Sequence, residues 1–235
     1  MRGVGSLLTT KSMMEILKVL VGSQAHGLAT PESDYDYRAV FVQPTAEILK
    51  LGGSVKNTNW IEGKEDNTSW EIGHFLNMAV HCNPTILEVF LAPRVDEGGF
   101  DWGDQLRDLL PHAWNSNDVV NAFVGYGLNQ RKKFLDEKDN RSAKYAVAYL
   151  RTLYQADELL RTGTFTVRIA DTPVGEILKA WKAGTFTFGE VIQLCHEWET
   201  KVKQSYKDNP NKQTNLEPIN EFLLQVRKEY WDERE

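Results

Sequence analysis

Hydrophobic positions along this chain follow two rhythms. Over residues 15–93 they come in short apolar runs, EILKVLV and YRAVFV among them, broken by Gly, Pro, Ser and Asp. That pattern reads as strands. Helical spacing shows at TAEILKL and again after Trp70, so this half is expected to be α/β. From about Asp104 the period lengthens. The stretches SNDVVNAFVGYGLNQRKKFL, RSAKYAVAYLRTLYQADELLRTG, FGEVIQLCHEWETKVKQSY and LEPINEFLLQVRKEYW carry apolar residues at helical intervals. The expected organisation is an α/β (α+β) mixed sheet with helices over residues 1–95, then an all-α domain over residues 104–235. The Gly- and Asp-rich DEGGFDWGD, residues 96–104, reads as the linker.

Local punctuation supports these elements. Gly163 follows a long apolar-periodic run and marks a helix stop, while Ser116 and Asn117 are positioned to cap a helix starting near Asp118. Asn83-Pro84 is expected to end one helix and begin another, with Pro84 in the first helical position. DNPNKQTN reads as a polar loop.

Composition narrows the classes. At 235 residues and 41% hydrophobic content the chain can bury a sizeable core as one large or two small domains. A formal charge of −6 argues against a general polyanion binder, which shows a basic excess. Cys82 and Cys195 are too few for a disulfide framework and fit a reducing compartment, so a cytoplasmic location is expected. Lys11, Glu15 and Lys18 interrupt any signal-peptide core, and no apolar stretch approaches a membrane span.

The chemistry concentrates in VGSQAHGLATPESDYDYRAVFV. If EILKVLV is a strand, Gly22 and Ser23 lie at its end, where a small-residue turn exposes backbone N–H groups and the Ser23 hydroxyl toward a phosphate. If DYDYRAVFV is the next strand, its period of two sends Asp34, Asp36 and Arg38 to one face and Tyr35 and Tyr37 to the other. Two such carboxylates repel, and a divalent cation removes the conflict. Taken alone, S-D-x-D also suits a solvent-facing turn in which Ser33 and Asp34 cap the backbone.

The string resembles the signature of the DNA polymerase β-type nucleotidyltransferase superfamily, and within it a predicted group that includes RNA-repair-associated members. The pattern GS-x-A-x-G-x-A-x-x-x-SD-x-D is met by Gly22, Ser23, Ala25, Gly27, Ala29, Ser33, Asp34 and Asp36. The likeness continues through DNTSWEIGHFLNMAVHCNPTILEVF, where Asn83, Pro84 and Glu88 meet an N-P-x-x-x-E segment, and extends weakly into the helical half. The resemblance implies a catalytic first domain and a helical substrate-binding second domain. It implies two Mg²⁺ ions, with Mn²⁺ as a substitute, held by Asp34, Asp36 and a third carboxylate. Asp66, matching a strand aspartate, is favoured over Glu71, which matches an acidic position at the start of the following helix. It also implies a nucleoside triphosphate as donor and, as acceptor, an RNA end or else a protein or small-molecule hydroxyl. A nucleotide-sensing module of the same fold is the non-enzymatic alternative. One departure stands out: many relatives carry a histidine where this chain has Tyr149.

In the helical half, Lys144, Ala148, Arg151 and Gln155 share one stripe, and Tyr126, Gln130 and Lys133 share another. Lys144 and Arg151 interrupt an apolar run and are the expected phosphate-binding cations, with Arg38 beside the carboxylates. Arg131, Lys132 and Lys133 read as a solvated face. The pairs His81-Cys82 and Cys195-His196 lack zinc-ligand spacing. His26 lies within the Gly-Ser loop, within reach of a phosphate or without function.

Overall fold

The computed structural model describes residues 13–61, 67–96 and 101–231. A four-stranded mixed sheet forms from β1 (Met14–Val21), β2 (Asp36–Val42), β3 (Thr58–Ile61) and β4 (Asn67–Glu71) in the order β1-β2-β4-β3. Strand β2 is central, antiparallel to β1 and parallel to β4, with β3 antiparallel on the edge. Its AVFV run is buried throughout, as a strand flanked on both sides and covered by helices requires. The short helix α1 (Gly22–His26) links β1 to β2, and α2 (Thr45–Leu49) follows β2. Helices α3 (Ile72–Val80), α4 (Pro84–Leu91) and α5 (Asp101–Arg107) pack against the sheet.

The remaining chain is helical, as its periodicity predicts. Helix α6 (Ser116–Val119) runs through a π-helical turn, Val120–Val124, into α7 (Gly125–Leu135). Helix α8 (Ser142–Thr162) is the hub of this half, buried between α7, α9 (Gly175–Lys182) and α10 (Phe188–Asp208). The last helix, α11 (Leu216–Glu229), returns to the first half. There the Arg227 guanidinium donates to both Glu71 carboxylate oxygens at 2.6 and 2.9 Å. Around it, the Thr45 hydroxyl donates to the Arg227 carbonyl at 2.7 Å and the Thr45 and Ala46 N–H groups donate to the Tyr230 and Trp231 carbonyls. One apolar core runs through both halves without interruption.

Several local expectations hold. Gly163 ends α8 in a left-handed conformation, Asn83 caps α4 with Pro84 at its first position, and residues 209–215 connect α10 to α11. Others change. The cap of α6 is Asn115, whose side chain accepts from the Asp118 N–H at 2.9 Å, rather than Ser116 or Asn117. The segment read as a linker is partly α5: Gly103 packs so closely on β1 that an added Cβ would lie 2.5 Å from the Ile16 carbonyl. Arg94 there bridges Asp96 and Asp104.

Candidate active site

The second strand begins at Asp36, two residues later than its period suggests, and Asp34 sits exposed in the loop before it. That loop is held by Ser33, whose hydroxyl accepts from the Thr30 N–H at 2.8 Å and whose carbonyl accepts from the Gln24 side chain at 3.2 Å. Ser33 therefore has a structural job in the S-D-x-D segment. Val21 pairs with Asp36 in the β1–β2 register, so residue 22 leaves the sheet directly beside Asp36. Gly22 adopts φ +69°, and a Cβ there would sit 2.4 Å from Asp36 Oδ2. Only glycine admits both that backbone and that carboxylate.

Gly22, Ser23, Asp34, Asp36, Arg38, Lys144 and Arg151 line one cleft of about 610 Å³ between the sheet half and the helical half. Tyr37 faces the other side of the sheet, with Lys18 Nζ 4.8 Å from its ring centre. Arg38 Nη1 donates to the Tyr37 carbonyl at 2.8 Å. Asp66 lies outside the described residues, and β4 starts at the next residue, Asn67, opposite Tyr37. Glu71 is fully buried away from the cleft lining: one oxygen accepts from the Gly73 N–H at 2.8 Å as the cap of α3, and Arg227 engages both.

Beneath the cleft lies a buried group that the sequence reading named without joining. Glu88, 7% exposed, accepts from His26 Nε2 at 2.9 Å through one oxygen and from Arg151 Nη1 at 3.0 Å through the other. Arg151 Nη1 also donates to Gln155 Oε1 at 3.1 Å, so that nitrogen is anchored to two acceptors. Burial alone would raise the Glu88 carboxyl; the His26 and Arg151 contacts outweigh it and hold Glu88 well below the usual carboxylate range. Burial, and secondly the charge of Arg151, pulls His26 below 6.5. Against a carboxylate, which only accepts, His26 Nε2 is the donor. Helix α4 is otherwise apolar in its last turns, PTILEVFL. A lone acid at a core-facing position is the signal that could have identified Glu88 as paired.

Lys182, at the end of α9, also lines the cleft and was not anticipated. Among the described residues neither Lys144 nor Lys182 forms an ion pair. Lys133 lies outside the lining, over the Tyr145 ring at 5.7 Å; of the run expected to form a solvated face only Lys132 is exposed, because Arg131 turns its buried Nε toward the Tyr149 and Cys195 contact. Tyr149 also faces away: its hydroxyl donates to Glu199 at 2.6 Å on α10, and burial together with that acid pushes the phenol up. The histidine-to-tyrosine departure thus falls at a helix contact. Cys82 and Cys195 are separately buried free thiols, and no cluster of three or more His, Cys, Asp or Glu forms among the described residues. No described helix is long and apolar enough to cross a membrane.

A sequence model of the family described as RlaP, RNA repair pathway DNA polymerase beta family, matches residues 8–180, a span that contains every predicted site residue. The chain is 32% identical over 135 residues to the 38.9 kDa protein of the nrdC-mobD intergenic region of Enterobacteria phage T4, covering 52% of this chain and 39% of that protein. It is 26% identical over 168 residues to YcgL of Bacillus subtilis (strain 168), covering 68% of this chain and 63% of that one. The chain spans about two fifths and just under two thirds of these relatives. Among solved structures, the nucleotidyltransferase-like protein from Exiguobacterium sibiricum 255-15 is similar at a TM-score of 0.30 and 11% identity, over 96% of this chain and 76% of that one.

Proposed function

The chain belongs to the RNA repair pathway DNA polymerase beta family, and from that premise we propose that it transfers a nucleoside monophosphate from a nucleoside triphosphate to the hydroxyl of an RNA end, releasing pyrophosphate. The observation that carries this reading is the convergence of Gly22, Asp34 and Asp36 with Lys144 and Arg151 on one cleft. The donor set fits a divalent ion: two hard carboxylates, one seated against a glycine that leaves it room, and space for substrate oxygens. Asp34, Asp36 and Asp66 would hold Mg²⁺ or Mn²⁺. We favour Asp66 over Glu71 because both Glu71 oxygens are already committed to Arg227.

When bound, such ions stabilise charge on the attacking and leaving oxygens. The remaining work belongs to the chain. Arg151, anchored by Glu88 and Gln155, presents its guanidinium to the phosphates without reorganising on binding. Lys144 and Lys182 add charge from α8 and α9, and the Ser23 hydroxyl donates from the opposite wall. The family's description, RNA repair, supports an RNA end as acceptor over a protein or small molecule.

The test is incubation with each α-labelled triphosphate, Mg²⁺ and an oligoribonucleotide bearing a free terminal hydroxyl. Label in RNA with stoichiometric pyrophosphate is expected. Pyrophosphate release with label in protein would move the acceptor, and no release with any acceptor pool would overturn the enzymatic reading.

A further inference from the structure

The N-P-x-x-x-E segment divides between two cavities. Glu88 lines the cleft, while Asn83, Pro84 and Thr85, about one turn earlier, line a second groove of about 670 Å³. The opposite wall comes from Asn77 and His81 of α3 and its end, and from Tyr126 and Asn129 of α7 just beyond the π-helical turn. Thr85 and Tyr126 line both cavities, so the two adjoin.

Charge separates them. The cleft is lined by Glu32, Asp34, Asp36 and Glu88 and by Arg38, Lys144, Arg151 and Lys182; among the described residues no Asp, Glu, Lys or Arg lines the groove. The groove is nonetheless rich in hydrogen-bonding capacity. His81 Nδ1 must donate to the Asn77 carbonyl at 2.7 Å, which leaves Nε2 as an acceptor. Asn83 Oδ1 accepts from the Thr85 N–H at 3.0 Å, which leaves the amide N–H groups as donors. Between them Cys82 takes φ +55°, a conformation uncommon outside glycine, and its buried Sγ reaches the Asn115 carbonyl at 3.8 Å. The pinned backbone holds one acceptor and one donor two residues apart at the groove wall.

We infer that this groove binds the nucleoside of the donor triphosphate, its base edge meeting His81 and Asn83 and its polyphosphate lying in the adjoining cleft. The inference rests on the nucleotidyltransferase reading above. A nucleoside triphosphate is polarised in the same sense as the two cavities, a polyanion at one end and a neutral, hydrogen-bonding ring at the other. A polynucleotide strand suits the groove poorly, because each nucleotide brings a phosphate that proteins neutralise with Lys or Arg, and the lining supplies neither. Tyr126, at the junction, offers a ring against which a base can stack.

The test measures Mg²⁺-dependent binding of inorganic tripolyphosphate and of each of the four ribonucleoside triphosphates to the full chain and to two variants. His81→Ala changes an exposed side chain, and Asn83→Ser keeps a capping oxygen for α4 while removing the amide donors. Each variant is expected to weaken the preferred triphosphate by about 2- to 10-fold, the loss of one neutral hydrogen bond, and to narrow the preference among bases. Tripolyphosphate affinity should stay within about twofold of the parent. Unchanged nucleotide binding, parallel loss of tripolyphosphate binding, or a rise confined to the KM of the acceptor would each overturn the assignment. A parent chain that binds neither tripolyphosphate nor any nucleotide would refute the nucleotidyltransferase reading itself, and the groove with it.

Discussion

Gly22→Ala separates backbone geometry from chemistry at the carboxylate site. Two costs are built into that position. A left-handed φ of +69° costs an alanine about 1–2 kcal/mol, which for a chain of this size lowers Tm by roughly 2–8 °C. The second cost is steric. The new Cβ would stand 2.4 Å from Asp36 Oδ2, whereas ordinary contact begins at 3.4 Å, so the carboxylate must retreat by about 1 Å. Misplacement of that size at a reacting centre costs on the order of 10²-fold in rate. Gly52→Ala isolates the first cost, because Gly52 has φ +75° and open space around it. Thermal unfolding and pyrophosphate release, measured side by side, should show a comparable Tm loss in both variants but a large rate loss only in Gly22→Ala. Near-parental turnover by Gly22→Ala would refute the reasoning, since it would mean that the position of Asp36 does not matter to transfer.

Asp34→Asn and Asp36→Asn should abolish transfer while leaving the unfolding transition in place, checked by labelled transfer and calorimetry. Asp66→Asn should reduce turnover by about 10²–10³-fold, whereas Glu71→Gln should act on stability by weakening the charge-assisted pairing with half-buried Arg227, about 1–3 kcal/mol by denaturant titration; the reverse ranking would make Glu71 the third ligand. Ser23→Ala should weaken triphosphate binding by about 1.5–3 kcal/mol, read as a raised KM for triphosphate rather than for the acceptor. His26 and Glu88 both have depressed folded values, so the unfolded chain binds more protons as pH falls. Stability should be level around neutral pH, decline below 6.5 as unfolded His26 takes up its proton, and decline further as pH falls through the carboxylate range; on the alkaline side the raised Cys82, Cys195 and Tyr149 make it fall again. His26→Gln should remove the first step in a Tm-versus-pH series while keeping the second.

Local chemistry made much of this legible in the sequence. The Gly22-Ser23 pair, the alternation of Asp36 and Arg38, and the Lys144–Arg151 stripe each follow from short-range spacing, and the fold brings all of them to one cleft. What escaped depends on distant partners. Glu88 joins Arg151 across 63 positions and Glu71 joins Arg227 across 156, and no window of periodicity contains both members of either pair. Asp34 was drawn into the strand because its side-chain period matches that of Asp36, although the turn fixed by Ser33 ends only at the strand's first residue. The stretch containing α5 reads as a linker because Gly and Asp dominate it; the close approach of Gly103 to Ile16 is what uses that glycine.

The pairing of Glu71 with Arg227 also sets a timetable for synthesis. The acid sits at the end of the strand that neighbours β2, fully buried, yet the cation that compensates it is made 156 residues later. At ribosomal speeds of about 5–20 residues per second, that interval lasts roughly 8–30 s. Throughout it the emerging sheet half carries a carboxylate whose buried setting lacks its charge partner, which disfavours closing the sheet around it. A partly made chain therefore does not present a finished cleft to the cell, and a chain clipped ahead of α11 returns to that unfinished condition.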